Sequence, residues 1–98
     1  MAMVHVMFDD TVGSGSQNGT AVFPRAHKDE AGILQVEISS GSGTIQIQGR
    51  LAPDASFESI LSPGLTASGY RTDIPIMPEM RVTVGGATDA VVKAWLME

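Results

Sequence analysis

The side chains able to do chemistry in this sequence are few and scattered. His5 and His27 are the two imidazoles, and no His-Glu-x-x-His spacing sets two nitrogen ligands on one helical face. Asp9 and Asp10, followed by Ser14, Ser16 and Asn18, offer oxygen donors of the kind calcium prefers. The acidic ligand that closes a helix-loop-helix calcium loop is missing, so the stretch reads as a solvated acidic turn. Gly13, Gly15 and Gly19 lack the Lys-Ser or Lys-Thr of a phosphate loop and open no helix. Nine serines are present, none at a strand-to-helix nucleophile elbow flanked by glycines. Asp54 and Glu58 need not share a face in a strand, and paired-carboxylate hydrolysis needs a cleft that so small a domain barely supplies. Cysteine is absent, which removes disulfides, thiolate metal sites and a thiol nucleophile. The residue types therefore predict neither an enzyme nor a metal or cofactor site.

Residues suited to contact are easier to find. Val4, Val6 and Phe8 alternate with Met3, His5 and Met7, which predicts a strand with one triplet inward and the other on an amphipathic face. Met and His are unusual choices for plain solvent, so that second face is a candidate for a neighbouring subunit or a second sheet. Trp95, the single tryptophan, can seal the core, anchor a subunit contact or stack on sugar. Arg50 and Arg81 each adjoin a strand, where a guanidinium pairs with a carboxylate within the chain or across an interface. The candidate interface is thus Met3, Val4, His5, Val6, Met7, Phe8, Arg50, Arg81 and Trp95.

The elements that must position these residues are strands. Leu34, Val36 and Ile38 alternate against Gln35 and Glu37, and Ile45 and Ile47 against Gln46 and Gln48. With Ser40 to Gly43 as the turn, these two runs predict a hairpin. Gly13 to Gly19 has no apolar period and predicts a mobile loop, with residues 1–19 forming an extended N-terminal arm. Thr20 to Phe23 predicts a short strand ended by Pro24, and Arg25 to Glu30 a charged surface turn or a single helical turn. Further short strands are expected at Phe57 to Leu61, Thr66 to Tyr70, Arg71 to Met77 bounded by Pro75, and Met80 to Val84. Gly85-Gly86 then predicts the last tight turn and Ala90 to Leu96 the closing strand, whose inward row is ambiguous because both parities are apolar. The 23 Val, Ile and Thr residues favour the same assignment. Seven to nine short strands without a helical period predict one all-β domain over residues 1–98, a small antiparallel β-sandwich or jelly-roll-like barrel.

Size and charge bound the function. A chain of 98 residues buries only about 60 to 65% of its unfolded surface, so a partner subunit is a natural source of added stability. A net charge of −5 argues against direct nucleic-acid binding, which needs clustered positive charge. No apolar run reaches the roughly 18 residues that cross a bilayer, and Met1 to Phe8 is no secretory leader, so neither membrane insertion nor ordinary secretion is expected.

Three stretches carry a resemblance: Ile45-Gln46-Ile47-Gln48-Gly49-Arg50-Leu51-Ala52-Pro53-Asp54 followed by Phe57; Ile76-Met77-Pro78-Glu79-Met80-Arg81-Val82; and Ala90-Val91-Val92-Lys93-Ala94-Trp95-Leu96. A strand ending in Gly-Arg, a loop to an aromatic-bearing strand, a Pro-x-x-Arg strand and a final hairpin resemble the small β-sandwich virion proteins of tailed bacteriophages. The resemblance covers about residues 33 to 97 and is closest to the capsid decoration, or cement, proteins. It implies a structural protein without cofactor, a homotrimer held on the major capsid protein at the capsid surface after assembly in the host cytoplasm. A receptor- or carbohydrate-binding module of a fibre or adaptor is the competing implication, and its mark would be an exposed Trp95 or Tyr70 beside polar acceptors.

Overall fold

A computed structural model describes residues 3–25 and 31–98. Among them there is no helix. The strands are β1 (Val4–Asn18), β2 (Ala31–Arg50), β3 (Glu58–Ser59), β4 (Gly69–Pro75) and β5 (Glu79–Met97). All pairings are antiparallel. β5 lies between β1 and β2, and the far edge of β2 takes β4 along its first half and β3 near its end.

The all-β antiparallel class expected from the alternating pattern is therefore present, but its strands are longer than the sequence reading predicts. β1, β2 and β5 run 15, 20 and 19 residues. The expected hairpin is not one. Both of its arms pair with β5, from Ile33 opposite Met97 to Arg50 opposite Glu79, and Ser40 to Gly43 lies inside β2. Gly85-Gly86 likewise lies inside β5 instead of forming a turn, and Gly13 to Asn18 continues β1 instead of looping. The physical reason is that Gly and Ser permit bulges as readily as turns. Register shifts fall between Ile38 and Thr44 in β2 and between Gly15 and Gln17 in β1. They line up across the sheet, since Ser14 and Ser42 both oppose Thr88.

At these aligned shifts the sheet folds over on itself. A straight strand of 19 residues would span roughly 60 Å, yet the longest dimension of the molecule is 36 Å. Val22 bridges Met80 near the start of β5, and three residues later the Arg25 N–H donates to the Glu98 carboxylate, just past its end, at 2.6 Å. At β2 the glycines near its two ends, Gly32 and Gly49, abut the adjacent residues Ile76 and Met77. The result is a small sandwich whose two layers share their three long strands, the corner geometry in which strands pass between layers through bulges.

The core lies between the layers. Leu34 and Val36 of one half of β2 and Ile45 and Ile47 of the other are all buried, as are Met80, Val82 and Val84, then Ala90, Val92, Ala94 and Leu96, along β5. This settles the parity of Ala90 to Leu96: even positions point in, Val91 and Trp95 out. Each large side chain so buried stabilises the fold by about 1.5–3 kcal/mol.

β1 departs from its expected alternation. Val6 opposes Trp95 and Phe8 opposes Ala94, so Met7 is an extra residue in a bulge, and both Met7 and Phe8 are buried. Val4 and Val6 face outward, not inward with Phe8. The segment is no extended arm, because its backbone pairs with β5 of the same chain. Smaller differences follow: Thr20 to Phe23 supplies only the Val22–Met80 bridge, Phe57 to Leu61 only the two residues of β3, and β4 joins the expected 66–70 and 71–77 segments into Gly69–Pro75. The expected charged turn falls at residues 26–30, including His27, which lie outside the described residues. Among the described residues no helix is long and apolar enough to cross a membrane.

Candidate docking face

Cross-strand partners on an antiparallel sheet stand about 4.5–5.5 Å apart on the same face, so the register gives the outer face row by row. The first row is Val4, Met97 and Ile33. The second is Val6, Trp95, Gln35 and Tyr70, and the third Asp9, Lys93 and Glu37. The first two rows hold no charge. Val4, Val6 and Tyr70 are 62%, 60% and 64% exposed, Ile33 and Met97 are exposed as well, and Trp95 is half-buried. A depression of about 350 Å³ between them is lined by Val4, Ile33, Gln35, Trp95 and Met97. Exposed apolar side chains gathered in adjoining rows, instead of scattered singly, suit a contact surface.

The residues singled out from sequence are placed differently from one another. Val4, Val6 and Trp95 share this face, and Met3 is exposed just before it. Met7 and Phe8 belong to the core and have no side chain to offer a partner. The imidazole of His5 bonds the Glu98 carboxylate, tying the start of β1 to the end of β5. Ile33, Gln35 and Met97 were not among the expected contact residues, although Ile33 carried a signal, being apolar on the same parity as Gln35 and Glu37. Tyr70, expected only as a sugar-facing aromatic, is exposed beside Gln35, a neighbour that long-range pairing supplies.

Arg50 and Arg81 lie on the outer face of the other layer and act within the chain. Arg50 grips Glu79 with two bonds, Nε to Oε1 at 2.9 Å and a terminal nitrogen to Oε2 at 3.0 Å, and also reaches the Ala55 carbonyl at 3.3 Å. Arg81 donates to Gln48 Oε1 at 2.9 Å. Both guanidiniums stack on Phe57, at 4.4 and 4.0 Å from the ring centre, a cation–π arrangement that holds the 51–66 connection on the sheet. Gln46 fastens the same connection by accepting from the Leu61 N–H at 2.7 Å and donating to its carbonyl at 2.8 Å. Nearby, Phe23 and Leu51 project at 66% and 73% exposure around a smaller depression, of about 190 Å³, bordered by the Arg50–Glu79 pair.

A third depression, of about 280 Å³, sits where β1 bends, with Asp9, Asp10, Gln17 and Asn18 in its wall. The Asp10 carboxylate accepts from the Gln17 amide and from the Thr11 N–H, both at 2.8 Å. These donors, the Gln17 amide foremost, hold its pKa below the usual aspartate value. Among the described residues no three His, Asp or Glu side chains gather as metal ligands would.

Compared with known families, with characterised proteins and with solved structures, the chain matches none.

Proposed function

We propose that the chain is a structural virion protein, one that self-associates and binds the outer surface of a phage capsid through symmetric, multivalent contacts. The observation that carries this reading is the uncharged outer face built by Val4, Val6, Ile33, Tyr70, Trp95 and Met97. Such a face is costly in water and gains its stabilisation when a partner covers it. In this reading the chain is a homotrimer, its partner is the major capsid protein, and it performs no catalysis. Three weak sites presented together give an avidity far above that of one, so no deep pocket is required. Co-sedimentation with assembled, accessory-free heads of the encoding phage tests the reading. Saturable binding to intact heads, with none to unassembled capsid protein, is expected; a chain that stays in the supernatant with both contradicts it.

One arrangement favours a second reading. Trp95 and Tyr70 flank the Gln35 amide in a single row, two aromatic surfaces around a hydrogen-bonding group, which suits a sugar ring. A carbohydrate-binding module of a fibre or adaptor would show saturable quenching of Trp95 fluorescence by free glycans, which the capsid reading does not predict.

A further inference from the structure

We infer that copies of this chain join head to tail, with Phe23 and Leu51 of one copy entering the depression beside Trp95 on the next, and that the contact closes into a ring. The inference rests on the self-association proposed above and names its two surfaces. They differ in size and exposure: Phe23 and Leu51, the most exposed large apolar side chains of the described residues, border a depression of about 190 Å³, whereas Val4, Ile33, Trp95 and Met97 surround one of about 350 Å³. The sizes agree. A cavity of about 150 Å³ accommodates a benzene ring, so a hollow of about 350 Å³ admits the Phe23 ring together with part of Leu51.

Charge points to the same occupant. With a net charge of −5, two copies approach most easily where neither presents charge. The hollow is lined by no charged side chain, and beside Phe23 and Leu51 the Arg50 and Glu79 charges neutralise each other. Val4, Ile33 and Met97 on one surface and Phe23 and Leu51 on the other supply exposed apolar side chains for the centre of such a contact, with the polar residues around them as its rim. A contact between unlike surfaces is heterologous, and each copy still carries one free surface of each kind. It either closes as a ring or grows as a filament. Three copies close the ring in the trimer of the proposed function.

Mixing two variants tests this directly. Val4→Glu places a charge at the hollow and Leu51→Glu one on the projection, both at exposed positions that leave the core intact. Each variant alone is expected to run as a single chain by light scattering. Mixed one to one, they retain one intact contact, the projection of the Val4→Glu chain on the hollow of the Leu51→Glu chain, and a two-chain species is expected. Val4→Gln with Leu51→Gln serves as a second pair if circular dichroism shows that the glutamates disturb folding. Variants that keep the unmodified chain's mass overturn the inference, as does loss of association without rescue on mixing, which marks a like-with-like contact. An unmodified chain that is monomeric at every concentration overturns it too. Co-sedimentation with heads then decides separately whether the capsid reading survives.

Discussion

Gln46 shows how a single side chain can stand in for a strand. Its amide makes with Leu61 the reciprocal pair of bonds that a neighbouring backbone would make, and so pins a connection that has little regular pairing of its own. Gln46→Ala leaves the Leu61 N–H and carbonyl without these partners. We expect a loss of about 1–3 kcal/mol, read from urea unfolding, with amide exchange at Leu61 accelerated more than in β5. Gly41 is constrained differently. Its φ is +75°, and a Cβ there would overlap the Asp89 backbone, itself at φ +48°. Gly41→Ala should destabilise by at least about 2 kcal/mol by the same measurement. Asp10 governs a pH effect whose sign follows from its donors. They favour the charged carboxylate in the folded chain, so its folded pKa lies below its unfolded value. The unfolded chain then binds more protons between the two values. The stabilisation is complete above the unfolded value of about 4 and is lost as pH falls through the folded one. Asp10→Asn should therefore make stability fall less steeply on acidification below about pH 4, a small difference at so exposed a site, checked by comparing urea midpoints of the two chains across that range.

Strand and apolar row were legible in the sequence; partnership was not. The pattern Leu34, Val36, Ile38 then Ile45, Ile47 correctly marks inward residues on both sides of Ser40 to Gly43, and Met80, Val82 and Val84 share one buried row as expected. The chain does change direction at its Gly and Ser runs. What alternation cannot reveal is whether a strand leaving such a run takes a new partner, as in a hairpin, or keeps the old one and bends. Here β5 remains the partner of β2 on both sides, so one bulged strand replaces two short ones. The same limit hid the face. Trp95 sits in a run that is apolar on both parities, and Val4 and Val6 turn outward because the Met7 bulge shifts the period by one residue. A one-residue shift exchanges the two faces of a strand, and no local feature of Met3 to Phe8 announces it.

At the scale of the molecule, two layers of shared strands enclose a modest core, and the apolar side chains that the core cannot use are concentrated on one outer face and one projection. A chain of this size gains from association both the burial of that surface and added stability. The proposed capsid binding and the proposed head-to-tail ring both depend on self-association around the uncharged face. Its most direct test is the mass in solution of the unmodified chain, by light scattering across a wide range of protein concentration. A mass near three times 10.3 kDa that does not change on dilution through the working range is expected of a closed trimer; a mass of 10.3 kDa at every concentration would contradict self-association.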